Sequence, residues 1–185
     1  MTSYFEDDRN RLIGLLSNIQ ESNITEGWEK AGQIAIASFV GFGFSKKYPN
    51  LALMVTSSGR SLIDCSTSEK IARDYDEYKG LDASYLHCQG IAQAEDENIL
   101  LATGSYGGGL PLTTSAGESI SLVSPNWPQH DLIFCTASGH PLIEKHQDGC
   151  IRITTDYIEA VGFSWCGNYF AVASNSDFNI WKRIV

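Results

Sequence analysis

No apolar run in this 185-residue chain approaches the roughly 18–20 residues that a membrane-spanning helix requires. The acidic start Met1-Thr2-Ser3-Tyr4-Phe5-Glu6-Asp7-Asp8 lacks the positive and then apolar grammar of a secretory leader. Both absences lead to the expectation of a cytoplasmic protein. Basic residues are scarce as well, 13 Lys and Arg against 22 Asp and Glu, for a formal net charge of −9. Nucleic acids and anionic membranes recruit clustered cations, so neither is an expected partner. The five cysteines, Cys65, Cys88, Cys135, Cys150 and Cys166, include no C-x-x-C pair and point to neither a disulfide framework nor a redox motif. Free thiols acting as small buried apolar groups are expected instead.

Catalytic signatures are missing in the same way. Gly162-Phe163-Ser164-Trp165-Cys166-Gly167 misses the G-x-S-x-G elbow by one residue, and its surroundings are strand-turn-strand where the elbow needs a helix. His87 and Cys88 are neighbours, which on a strand puts a base and a nucleophile on opposite faces. Asp156 and Glu159 have the residue types of an acid–base pair, with solvated surface charge as the plainer reading. Cys135, His140, His146 and Cys150 suit zinc by type, but only the two histidines fall at a ligand-pair spacing. The loop around Tyr106, Gly107, Gly108 and Gly109 offers backbone N–H groups to an anion and is the candidate ligand loop. It lacks the G-K-[ST] of a P-loop and G-x-G-x-x-G, and it precedes a Pro-Leu strand, so a bulged hairpin or close backbone crossing is the stronger reading. No catalytic residue, metal or cofactor is expected.

What the chain does contain is core-forming material. With 43% apolar and 19% charged residues it can bury a full core, and its length fits a single domain spanning 1–185. Residues 1–26 read as a helix and linker: Ser3 and Glu6 are spaced as a capping box, and Leu12, Leu15, Leu16 and Ile19 form one apolar face. That face needs a sheet or a second chain to cover it, which leaves homodimerisation open. Residues 31–185 read as β repeats, with Gln33 to Phe44 as a continuous β-prone stretch and further strands at 51–56, 61–65, 98–103, 118–123, 131–136 and 150–154.

The most informative stretch runs from Val161 to Trp181. Val161, Phe163 and Trp165 alternate into the turn Cys166-Gly167-Asn168. Tyr169 to Ala173 follows as an apolar run, and a second turn at Ser174–Asp177 leads to Phe178-Asn179-Ile180-Trp181. This predicts a three-stranded meander with Trp181 buried against the strand of Phe170 and Val172. The unit recurs earlier: Phe44-Ser45 stands to Leu51-Ala52-Leu53 as Phe163-Ser164 stands to Phe170-Ala171-Val172. Internal repetition of a supersecondary unit is the mark of stacked or radial architectures. F-S-x5-F-A-V-A followed by S-x-D-F-N-I-W-K resembles one blade of a WD40-type β-propeller over 161–183, and more weakly over 40–65. The resemblance makes Asp177 and Trp181 signature positions, with Asp64 in the place of the second tryptophan. The segments Gly107-Gly108-Gly109-Leu110-Pro111-Leu112 and Pro125-Asn126-Trp127-Pro128 resemble a group of uncharacterised bacterial proteins, which brings no function with it. The expected fold is mainly β, as antiparallel propeller-like blades or stacked sheets with one N-terminal amphipathic helix.

One surface feature departs from an even mixture of charge. Between Glu69 and Glu97 eight acids face three bases, a local balance of minus five. Asp74, Asp76, Glu77, Glu95, Asp96 and Glu97 are therefore the candidate partner-binding residues, and their field would draw in a basic protein. Two classes of function follow. One is a non-catalytic scaffold or immunity-type inhibitor for a basic partner. The other is a small-molecule or carbohydrate module, or an enzyme, that uses exposed aromatics such as Tyr106, Trp127, Tyr157 and Trp165.

Overall fold

The computed structural model of the chain describes residues 2–22, 26–104 and 107–184. After a helix α1 (Thr2–Leu16), the first strands are β1 (Trp28–Ala35), β2 (Phe39–Phe44), β3 (Leu51–Thr56), β4 (Gly59–Asp64) and β5 (Glu69–Asp74). Short pieces follow: β6 (His87–Gln89), β7 (Asn98–Leu100), β8 (Ala102–Thr103) and β9 (Gly107–Gly108). The chain then forms β10 (Ser119–Val123), β11 (His130–Cys135), β12 (Cys150–Asp156), β13 (Ile158–Phe163), β14 (Tyr169–Ser174) and β15 (Asp177–Arg183). These elements divide into two compact units, Met1–Glu26 with Leu112–Tyr157, and Gly27–Pro111 with Ile158–Val185. Among the described residues the fold is mainly β, with antiparallel sheets and one α-helix near the N-terminus. Among the described residues no helix is long and apolar enough to cross a membrane.

In the first unit, α1 lies on the antiparallel sheet β10-β11-β12. The sequence expects a sheet or a second chain to cover its apolar face; Leu16, and Ile19 just past the helix end, are buried with Ile133, Cys135 and Cys150 while Val123 packs alongside. The last turn of a helix leaves carbonyl oxygens without intrahelical partners. Here Gln147 Nε2 donates to Leu15 O at 3.0 Å and Arg152 Nη2 to Leu16 O at 2.7 Å. A cation at this end also opposes the negative pole of the helix dipole. The proposed capping box is displaced: α1 already includes Thr2, so Ser3 lies inside the helix rather than at its cap, and its side chain is outside the described residues.

The second unit holds the repeat. The expected meander is β13-β14-β15, completed by β1 in the order β1-β15-β14-β13. Phe163 pairs with Phe170, and Phe170 with Trp181. Trp181 is 3% exposed and its ring stacks on Phe170 at 4.7 Å and 5°. Trp165 does not continue β13; it lies in the following loop and donates Nε1–H to Phe44 O at 2.9 Å. The earlier copy is β2-β3-β4, extended by β5 on one side and by β8 and β9 on the other. The two serines of the repeat each brace the loop that follows, by different contacts. Ser45 Oγ accepts the Tyr48 N–H at 2.8 Å and Ser164 Oγ accepts the Tyr169 N–H at 3.0 Å, and both serines are buried. Asp64 pairs with Leu51 where Trp181 pairs with Phe170, as the sequence alignment of the two copies requires.

The stretch Gln33 to Phe44, expected as one β-prone run, is broken in two. Ser38 has φ 53°, a left-handed conformation that ends the ladder, and β1 and β2 consequently enter different sheets. Phe42, Phe44, Ala52, Met54 and Ile63 of one sheet share a core with Ile34, Ala171, Ala173, Phe178 and Ile180 of the other, and Phe42 meets Phe178 edge-on at 5.0 Å. Leu51, Leu53, Val55 and Leu62 fill a second core with Cys88, Ile91, Ala94, Ile99 and Leu101. Burial on both faces explains why Leu51–Thr56 is a continuous apolar run rather than an alternation.

Candidate functional site

The acids of Glu69–Glu97 separate into structural and surface groups once they are placed. Asp74 accepts the Asp76 N–H at 3.0 Å and pairs with Arg60, whose side chain is 5% exposed. These bonds, the Asp76 amide first and Arg60 second, hold the Asp74 carboxyl below its ordinary range. Asp82 is drawn upward by desolvation but more strongly downward by bonds from Ser84, Leu86 and His87, so it too lies low. Glu97 accepts the Ser45 hydroxyl and the Lys46 N–H, and Asp96 pairs with Lys47. Asp76, Glu77 and Glu95 remain exposed, Asp76 in a surface pair with Lys79 at 2.7 Å. Of the six candidate partner-binding residues, Asp74, Asp76, Asp96 and Glu97 therefore have partners inside the chain, Asp76 and Asp96 in exposed lysine pairs, and Glu77 and Glu95 are exposed.

Asp74 and Arg60 give an ordered expectation. Removing the acid strands a buried guanidinium, whereas removing the guanidinium leaves a carboxylate that is 22% exposed and can be hydrated. Asp74→Ala should lower the urea midpoint more than Arg60→Met does, and the reverse order would refute this account of the pair. A depressed folded-state value stabilises above the unfolded carboxylate pKa of about 3.9 and is lost as pH falls through the lower folded value. Acid titration of the wild type should thus lose a stabilising increment below about pH 4 that Asp74→Asn lacks.

The turns that these acids brace bring two tyrosines together. Tyr78 stands in the turn where Asp76 O accepts the Lys79 N–H, and Tyr85 in the turn closed by its own N–H to Asp82 O at 3.1 Å. Their rings meet edge-to-face at 6.4 Å and 75°. They line a cavity of about 350 Å³ together with Ser38, Phe39, Val40, Ser57, Gly104 and Glu159. Its walls are built from irregularities. Among the described residues five non-glycines have left-handed backbone, and Ser38, Tyr78 and Tyr85 are three of them. Val40 and Glu159 sit where the ladder registers slip, between Phe39 and Gly41 in β2 and between Ile158 and Ala160 in β13. A bulge re-aims a side chain that regular pleating would turn to the other face. Gly104 then makes room: a Cβ there would stand 2.7 Å from Glu159 Oε2. Unusual backbone of this kind concentrates at ligand-binding sites.

The other sequence candidates are placed as follows. In the ligand loop, Tyr106 lies outside the described residues. Gly107 and Gly108 form β9, a two-residue hairpin partner of β8, and a Cβ on Gly108 would meet Leu101 O at 2.4 Å, which marks a close backbone crossing. Cys135 and Cys150 bring their sulfurs within 2.9 Å in the core under α1, and burial pushes both thiols upward. His140 and His146 are exposed and joined through backbone, and among the described residues no three His, Cys, Asp or Glu converge. Cys88 is buried while His87 turns to Asp82 at 3.3 Å. Ser164 Oγ is engaged by the Tyr169 N–H and lies 3.3 Å from Cys166 Sγ. Asp156 accepts the Tyr157 N–H at 2.7 Å. Sequence reasoning missed Tyr78, Tyr85 and Ser38, since none of the three is a residue type that advertises left-handed backbone.

No protein-family model matches the chain, and no curated protein matches it either.

Proposed function

We propose that the protein is a non-catalytic binding module for a basic protein partner, of the scaffold or inhibitor kind, and that the cavity of Tyr78, Tyr85 and Glu159 receives one cationic side chain of that partner. The observation that carries the reading is the cavity's construction: two tyrosine rings, set edge-to-face, and one carboxylate are brought together by left-handed turns and a bulge. Aromatic faces and a carboxylate attract an ammonium or guanidinium by the ring quadrupole and by charge-assisted hydrogen bonding. The Ser38 and Ser57 hydroxyls supply further acceptors. Asp76 and Glu77, exposed next to Tyr78 in sequence, add a negative rim that speeds encounter with a positive surface. The two strand repeats support a blade-like scaffold of the WD40 type, which presents such loops on a rigid sheet.

Calorimetric titration with a short peptide carrying Arg and Lys, beside its citrulline and acetyl-lysine counterpart, tests the reading. Binding of the charged peptide should weaken by about tenfold or more in Glu159→Gln and decline with salt. Asp76→Asn with Glu77→Gln should reduce the association rate and its salt dependence without changing folding. Equal binding of the charged and neutral peptides would overturn the cation site. Tight binding of a neutral sugar at Tyr78 would favour the carbohydrate alternative instead.

A further inference from the structure

Strand β5 carries a second irregularity, on the opposite side of the charge ledger. Its ladder with β4 pairs Ser61 with Arg73 and Ile63 with Lys70, and the register slips between Leu62 and Ile63. Ser61 and Ile63 are two apart and share one face of the sheet. Their partners are three apart, so the slip around Ile71 puts Arg73 and Lys70 on one face where a regular strand would oppose them. That face also carries Met54, the partner of Ser61, and Ile63, both buried in the core shared with β1 and β15. Two cations thus stand on the apolar side of an outer strand.

They border a cleft of about 620 Å³ walled by Ala35, Ile36, Ala37 and Met54 and edged by Tyr75. This size suits a small organic ligand. Arg73 is held in place by neutral oxygens: Nη1 donates to Ser61 Oγ at 2.7 Å and Nη2 to Ser58 O at 2.8 Å, and its guanidinium lies 5.1 Å from the Tyr75 ring. Lys70 Nζ donates to Ala35 O at 3.2 Å. Among the described residues neither cation forms an ion pair, and no carboxylate is among the residues lining the cleft. In a chain of net charge −9, two cations left with neutral acceptors at the mouth of an apolar cleft are poised for an anion from outside.

We propose that this cleft is a binding site for an organic anion, an oxyanion group that engages Lys70 and Arg73 joined to an apolar body that lies against Ile36, Met54 and Tyr75. Arginine offers paired donors to a carboxylate or a phosphate alike, and the buried hydroxyls of Ser61 and Thr56 line the same cleft. The site is separate from the cavity of Glu159 in lining and opposite to it in charge.

Calorimetry with benzoate, phenylphosphate, inorganic phosphate and benzyl alcohol tests the site. At least one of the two aromatic anions should bind, benzyl alcohol should bind about tenfold more weakly or not at all, and the tighter of benzoate and phenylphosphate names the oxyanion. Arg73→Gln should abolish binding, but Arg73 also holds the Ser58 turn. Lys70→Met is therefore the decisive variant: it should leave the melting temperature unchanged and lower affinity by about tenfold. Glu159→Gln should leave anion binding intact, which separates this site from the cation cavity. Binding of benzyl alcohol equal to that of the anions, inorganic phosphate matching phenylphosphate, an unaltered affinity in Lys70→Met, or no binding of any anion would overturn the proposal. In the last case the two cations serve as inward-pointing charges that keep an edge strand from pairing with another chain.

Discussion

Trp181→Ala is expected to lower the free energy of unfolding by about 3–5 kcal/mol, the range for truncating a large aromatic side chain in a core. Trp181 is 3% exposed and stacked on Phe170, which in turn meets Trp28 at 5.1 Å and Phe163 at 5.7 Å, so one truncation opens a void against a connected set of rings. Little can collapse into that void, because Trp28, Phe163 and Phe170 are fully buried and fixed by strand pairing. Trp181→Phe should recover much of the loss by restoring a stacked ring. Urea denaturation read by circular dichroism measures both variants, and an unchanged midpoint for Trp181→Ala would contradict the packing described here.

Gly43→Ala should also be costly, about 3 kcal/mol, at the upper end of what overpacking a core costs. In Phe39-Val40-Gly41-Phe42-Gly43-Phe44, Phe42 and Phe44 enter one core and the glycines turn to the other face. There a Cβ on Gly43 would stand 2.1 Å from Leu100 O, and one on Gly41 would stand 2.7 Å from Thr103 Cγ2. The obstacle at Gly43 is backbone, which no rotamer change can relieve, so the 99–103 segment must move off β2. Gly109, with open space around it, is the control: Gly109→Ala should have little effect on the same denaturation curve.

The parts of this fold that sequence reveals are those where pattern and structure share a period. The 161–181 meander is legible because small polar turns interrupt a two-residue alternation. The helix is legible because Leu12, Leu15 and Leu16 belong to a stripe that must be covered, although Ile19, read with them, is buried beyond the helix end at Leu16. What escapes is irregular. Ser38 breaks an unbroken β-prone run without a glycine, asparagine or proline to mark the break, and Glu-Lys-Ile-Ala-Arg-Asp, with four charges in six residues, gives no strand signal although it is β5. The acidic stretch was legible as a charge excess but not as a division of labour. Local spacing held some of that information: Asp82 precedes Ser84 by two residues and Asp74 precedes Asp76 by two, the reach over which a carboxylate bonds a nearby backbone N–H. The cavity of Tyr78, Tyr85 and Glu159 depends on register slips, and a slip leaves no trace in composition.

The pairing of β1 with β15 joins segments far apart in sequence, as the contact of Gln33 with Asp177 across 144 positions shows. During synthesis, β2, β3, β4 and β5 can zip together as soon as they emerge, since each pairs with its neighbour in the chain. β1 has no such neighbour. Its partner is β15, so Trp28 cannot be buried by strand pairing until β15 has been made. Closure of so long a loop carries an entropic cost that the neighbouring hairpins do not bear, so β1 is the strand expected to join its sheet after the local pairs have formed.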